Sequence, residues 1–209
     1  MTKRILIVDD HEVVRAGVMR FVEGPGVVFG EASSADEALQ LVRDQEWDLA
    51  VLDLSLGSRS GLELLKEFKQ TRAKMPVLIL SMHSEEQYAR RAFKAGASGY
   101  ITKDSPREEL IKAVDRVIAG GRYVNPITAE KLTLDLARGT EHPLHHSLSD
   151  REMEVLCLLA SGKTVGEIAG LLVLSDKTVS TYRARILEKM RMKTNAEIIH
   201  YAIRNNLVT

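Results

Sequence analysis

In this 209-residue chain, four apolar runs each end on a residue that can do chemistry: ILIV leads into Asp9-Asp10, LAVL into Asp53, VLIL into Ser81 and GYIT into Lys103. Oxygen donors gathered in this way suit a hard divalent cation, and magnesium commonly takes one or two carboxylates together with phosphate oxygens. A carboxylate beside such a cation, with an ammonium and a hydroxyl opposite, can attack a phosphoryl donor and become an aspartyl phosphate. Asp53 is the candidate nucleophile, Lys103 a point charge for the phosphate and Ser81 a hydroxyl contact. Singly, each residue also has a structural reading: the aspartates as helix caps, Ser81 in a turn, Lys103 on solvated surface. Three carboxylates packed together repel, so a cation must join them or at least one must keep its proton.

These residues meet only if the runs are strands of one parallel sheet, whose C-terminal ends share an edge. Strand-like runs at 4–8, 27–32, 49–54, 77–81 and 98–102 alternate with helical patterns. The first helix is expected near Val13, and later starts carry the capping pattern Ser/Thr-x-x-Glu/Gln: Ser34 with Glu37, Ser60 with Glu63, Ser84 with Gln87, and Ser105 with Glu108, with Pro106 as first helical residue. Such alternation calls for an α/β domain over residues 1–121, a five-stranded parallel doubly wound sheet of flavodoxin-like order 2-1-3-4-5. The pattern changes at Gly120-Gly121, and 122–147 reads as a linker, partly helical. Within it RGTEHPLHHSL (138–148) reads as exposed chain. His142, His145 and His146 lack companion ligands at metal spacing, which favours a solvated linker. Over 148–209 the pairs Ser149/Glu152, Thr164/Glu167 and Thr194/Glu197, with Ser175, mark an all-α domain of four short helices.

Twenty-nine basic and 29 acidic residues balance, so net charge argues neither for nor against a polyanionic partner. With no membrane-length apolar run and no signal peptide, the expected location is cytoplasmic, away from membranes. The single cysteine, Cys157, excludes an internal disulfide and reads as a buried hydrophobe. Gly162-Lys163-Thr164 resembles the end of a P-loop, but the first glycine would fall on Cys157 and a helix stands where a strand is required.

The run 175–193 holds Lys177, Arg183, Arg185, Lys189, Arg191 and Lys193 against one acid, Glu188. As a helix it puts Val179, Tyr182, Ile186 and Met190 on one face and Lys177, Thr181, Ala184 and Glu188 on the other. A short helix and a turn at Val173-Leu174 precede it. That is the order helix, turn, recognition helix, and a polar face of small side chains flanked by bases suits the DNA major groove.

VDD (8–10), LD (52–53), LSM (80–82) and AGASGYITK (95–103) resemble the receiver domain of two-component response regulators over about 120 residues. The segment LSDREMEVLCLLASGKTVGEIAGLLVLSDKTVSTYRARILEKM resembles the LuxR-type helix-turn-helix, and the two together resemble NarL/FixJ-type regulators. The resemblance implies Asp9 and Asp10 as Mg2+ ligands with the backbone carbonyl of Ser55, Asp53 as phosphoacceptor and metal contact, and Ser81 and Lys103 on the phosphate. It implies Tyr100 as a switch aromatic. It also implies a sensor histidine kinase, double-stranded DNA with inverted or direct-repeat half-sites, a homodimer on activation and RNA polymerase as partners. Ser180, Thr181 and Ala184 fall where members reach base edges. Readout is assigned to Lys177, Thr181 and Arg185, and phosphate contact to Arg183, Lys189 and Lys193. Two departures stand out: Asp104 follows Lys103 where proline is frequent, and Gly57 replaces a frequent proline after Asp53. Any catalysis is expected to be weak self-phosphorylation and dephosphorylation. The alternatives are a magnesium-dependent aspartyl-phosphate phosphohydrolase, with Glu12 as second acid, and a phosphorylation-operated protein-binding module without a DNA role.

Overall fold

The computed structural model describes residues 2–57, 59–82, 85–130, 143–205 and 207–208. Two compact units divide the chain, Met1–Arg138 and Gly139–Thr209.

In the first unit the apolar runs form β1 (Lys3–Val8), β2 (Val27–Ala32), β3 (Leu49–Leu52), β4 (Val77–Ser81) and β5 (Gly99–Thr102). All pair in parallel, in the order β2-β1-β3-β4-β5. Between them lie α1 (Glu12–Val22), α2 (Ala35–Asp44), α3 (Gly61–Thr71) and α4 (Glu85–Ala95), and α5 (Arg107–Ile118) follows β5. Leu49–Leu52 of β3 and Val77–Leu80 of β4 are apolar at every position because helices cover both faces. On one face Ile5, Ile7, Leu49, Val51, Leu78 and Ile101 pack with Val18 of α1 and Leu110, Val114 and Val117 of α5.

The register sets the functional edge. Val8 pairs with Leu52, and Ser81 with Thr102, so Asp9, Asp53 and Lys103 each stand one residue beyond a paired position. Their amides continue the ladder, Asp53 to the Val8 carbonyl at 2.9 Å and Lys103 to that of Ser81 at 2.9 Å.

Several expected caps differ. Ser34 accepts the Glu37 N–H, but the Glu37 carboxylate reaches back to Ser33. Ser60 precedes α3 without a side-chain cap bond, because it belongs to a short antiparallel ribbon that pairs Ser55–Leu56 with Arg59–Ser60. Pro106 is the N-cap of α5 and not its first helical residue, while the Ser105 hydroxyl pairs with that of Thr102 at 3.0 Å. Ser84 lies outside the described residues, as does the side chain of Gln87. Beyond Gly121 the chain keeps a hold on the sheet. Tyr123 donates to the Ser98 carbonyl and accepts from Tyr100 N–H, forming a parallel bridge at Gly99.

The second unit contains α6 (Asp150–Ala160), α7 (Val165–Leu171), α8 (Asp176–Lys189) and α9 (Asn195–Arg204). Ser149 with Glu152 and Thr164 with Glu167 form complete capping boxes. Ser175 accepts the Thr178 N–H and Thr194 that of Glu197. Met153, Leu156, Ile168, Val179, Ile186 and Ile198 are fully buried, and Cys157 is buried too. The segment before Leu148, expected as a partly helical linker, makes a turn of 3-10 helix (Leu144–Ser147), with His145 Nδ1 2.9 Å from the Tyr201 hydroxyl. His142 lies outside the described residues. Among those described, no helix is long and apolar enough to cross a membrane.

Candidate functional site

Asp53, one residue past β3, is 2% exposed, as is Asp9 past β1. The Lys103 ammonium lies 2.7 Å from Oδ2 of each, a cation shared between two buried carboxylates. Asp10 is adjacent and more exposed. His11 sends its backbone N–H to Asp9 Oδ1 at 2.9 Å and sets its ring Nδ1 2.7 Å from Asp10 Oδ1 and 3.2 Å from Asp9 Oδ1. One donor atom from each of Asp9, Asp10, His11 and Asp53 lies within 4.8 Å of all the others. Asp53 Oδ1 is buried with no hydrogen-bond partner among the described residues. An acceptor left so costs about 1–3 kcal/mol, and a cation beside it removes that cost. The acidic pocket therefore fits a divalent metal ion.

The electrostatics follow from burial. Desolvation pushes the Asp53 carboxyl above its ordinary range, and Lys103 pulls it back only in part while Asp9 adds repulsion. Burial alone would lower Lys103, but the carboxylates of Asp53 and Asp9 outweigh it and hold the ammonium above its usual value.

Ser81 is fully buried at the end of β4, and Tyr100 is fully buried in β5, paired with Ile79. Ser55 is half-buried and opens the ribbon two residues past Asp53. That ribbon is tied down by Arg59, which bridges Asp36 at 3.2 Å and also Glu67. Gly61 closes the loop: a Cβ there would stand 2.2 Å from the Asp53 carbonyl oxygen. Glu12, the second acid of the hydrolase alternative, is exposed at the start of α1. The bond between Lys103 and Asp104 is trans. The structure thus brings Asp9, Asp10, Asp53 and Lys103 together. His11 joins them and escaped the sequence reading, although VDDH places an imidazole directly after the acids.

In the second unit α7 leads through Val173, at φ 52°, into α8. Lys177, Ser180, Thr181, Ala184 and Arg185 are all exposed on α8, with the Thr181 hydroxyl donating to the Lys177 carbonyl at 2.9 Å. Two expected phosphate contacts are otherwise engaged. Arg183 donates to Asn195 Oδ1 at 2.6 Å, and the Lys189 ammonium pairs with the buried Glu152 carboxylate at 2.6 Å. Both side chains bind within the helical unit in this structure. Lys193 remains exposed.

Residues 5–115 match the response regulator receiver domain, and residues 146–202 the bacterial regulatory proteins of the luxR family. The chain belongs to the LuxR-type two-component response regulators. It is a response regulator with a receiver and a DNA-binding helix-turn-helix domain, and its family has the histidine kinase as phosphodonor partner. This regulator is 34% identical over 209 residues to the response regulator GacA of Pseudomonas aeruginosa, covering 98% of this chain and 97% of that one. It is 35% identical over 207 residues to the response regulator UvrY of Escherichia coli, covering 97% and 94%. A crystal structure of a LuxR-family two-component response regulator from Aurantimonas matches with a TM-score of 0.61 at 38% identity, covering 66% of this chain and 99% of that chain.

Proposed function

We propose that a sensor histidine kinase transfers a phosphoryl group to Asp53, and that the phosphorylated regulator binds double-stranded DNA as a homodimer to control transcription. The observation that carries this reading is the Lys103 ammonium held 2.7 Å from both Asp9 and Asp53, beside an Asp53 oxygen with no hydrogen-bond partner among the described residues.

On this reading Asp9, Asp10, Asp53 and the Ser55 carbonyl hold Mg2+, which when bound offsets negative charge on the attacking and transferred oxygens. The Asp53 carboxylate forms a bond to phosphorus as the phosphorus–nitrogen bond of the donor breaks and the kinase imidazole departs. Lys103 keeps a cation against the transferred group. Ser81 and Tyr100 settle towards it, and the surface over 84–118 repacks to favour the dimer. Slow self-phosphorylation and dephosphorylation are side reactions of the same pocket.

Domain limits of 1–121, 122–147 and 148–209 are retained in outline, with Tyr123 assigned to the receiver because it bridges to Gly99. Lys177, Ser180, Thr181, Ala184 and Arg185 face the groove, and Arg183, Lys189 and Lys193 face phosphates. Half-sites, inverted or direct, stand about 34 Å apart, one turn of DNA. The protein works in the cytoplasm and meets RNA polymerase at promoters.

The test is to incubate the protein and Mg2+ with sheared genomic DNA, with and without beryllofluoride as phosphoryl mimic, and sequence what is retained. Shared two-fold sites enriched only with the mimic, and lost in Asp53→Asn, are expected. Equal enrichment without the mimic would remove the gating role, and none in either condition would favour a protein-binding module.

A further inference from the structure

Arg15 lies near the start of α1, the positive end of the helix dipole, where a cation is disfavoured. Its side chain is nonetheless only 13% exposed. Nε donates to Glu31 Oε2, on β2, at 3.0 Å, and Nη1 donates to the backbone carbonyl of Asp9 at 2.9 Å. A guanidinium is planar and holds its donors in a fixed fork. The Glu31 carboxylate therefore dictates where Nη1 meets the Asp9 carbonyl.

That carbonyl lies in the plane of the peptide joining Asp9 to Asp10. On the other side of the same residue, Asp9 N–H donates to the Ala32 carbonyl at 3.2 Å, and the paired register of β1 with β2 ends at Val8 and Ala32. The ladder holds the chain entering Asp9, and Arg15 holds the chain leaving it. Turning the Asp9–Asp10 peptide would swing one carboxylate relative to the other. Magnesium tolerates such a swing poorly, since it demands near-ideal octahedral geometry with bonds of about 2.0–2.1 Å.

We propose that Arg15, pinned by Glu31, is a positioning residue that fixes the Asp9–Asp10 peptide plane and thereby the directions in which the two carboxylates meet a divalent cation. Arg15 acts through Asp9 and is not a ligand. The inference rests on the carboxylate metal site proposed above and adds to it a residue from outside the pocket.

Calorimetric titration of the full-length protein with Mg2+ tests this. Arg15→Gln should lower Mg2+ affinity by about tenfold. Labelling of Asp53 by phosphoramidate, followed by intact mass, should then need correspondingly more Mg2+ for half its maximal rate. At saturating Mg2+ the rate should return to within about twofold of the wild type, because Asp53 and Lys103 are untouched. Glu31→Gln, at an exposed site, keeps the bond to Asp9 but loosens the pin, and should lower Mg2+ affinity severalfold; it carries the test if Arg15→Gln does not fold. Val18→Ala controls for a merely structural role: it leaves a cavity beneath α1, keeps both Arg15 bonds and should leave Mg2+ affinity unchanged. Unchanged affinity in the Arg15 or Glu31 variant, an equal loss in Val18→Ala, or a labelling rate that stays low at saturating Mg2+ overturns the role of Arg15 and leaves the carboxylate site standing. A wild type that binds no Mg2+ overturns both.

Discussion

Glu152 in the first turn of α6 meets Lys189 in the last turn of α8 at 2.6 Å, and the same carboxylate oxygen accepts the Ser149 N–H at 2.7 Å. One buried acid thus caps its own helix and anchors the recognition helix. Burial would raise its pKa, but the bonds from Lys189 and Ser149 outweigh it and hold the carboxyl below the usual glutamate range.

Lys189→Ala leaves that carboxylate with one partner fewer, a loss of about 1–3 kcal/mol. Urea unfolding followed by helical circular dichroism should show the second unit destabilised. Fluorescence of Trp47, the single tryptophan, reports the first unit and should not change. The carboxyl is depressed on folding, so its contribution is full above the unfolded pKa and is lost as pH falls through the lowered folded value. The gap between variant and wild type should therefore close in acid.

Asp53→Asn should stabilise the metal-free receiver at neutral pH by about 1 kcal/mol, since it removes a buried charge that desolvation and Asp9 disfavour. A carboxyl raised on folding gains protons on folding, so stability falls as pH climbs from its unfolded to its folded pKa. The advantage should vanish below the ordinary aspartate range. Saturating divalent ion at about a hundredfold over Kd should add about 2.7 kcal/mol to the wild type and much less to the variant. A Trp47 transition moved equally by the ion in both proteins would contradict this.

Gly61→Ala should cost about 1–3 kcal/mol and slow phosphoryl labelling of Asp53, because the added carbon meets backbone at 2.2 Å and the loop beside the carboxylate must shift. Gly17→Ala in α1 is the control: nothing lies within 4 Å of its added carbon, and helix propensity favours alanine by about 1 kcal/mol. Unfolding midpoints of the two variants should move in opposite directions.

Lys193→Ala should weaken binding to every DNA sequence alike and reduce the slope of log affinity against log salt by about 1. Fluorescence anisotropy over a salt series measures both. Loss confined to one operator variant would place Lys193 on a base.

The sheet was legible because β3 and β4 are covered on both faces, which turns Leu49–Leu52 and Val77–Leu80 into unbroken apolar runs. The pocket was legible for a related reason: Asp9, Asp53 and Lys103 each follow a strand directly, and parallel pairing brings such positions to one edge. Tyr123 gave no signal, since it joins the sheet edge by a single backbone bridge at Gly99 with no strand-like run around it. Ser60 matched a capping pattern but was claimed by the ribbon. Helical angle places Arg183 and Lys189 on α8 correctly, yet their long side chains reach back to Asn195 and Glu152, which periodicity does not encode. His11 was passed over because the acids before it already explained the strand's end.

Lys103, lodged between Asp9 and Asp53, also sets the valence of what the pocket accepts. Counted as formal charges, three carboxylates against one ammonium leave two negative charges, the charge that a divalent ion carries. A monovalent ion leaves the pocket half-neutralised and a trivalent ion overcharges it. Selection by valence therefore precedes selection by size, and a lysine sets it.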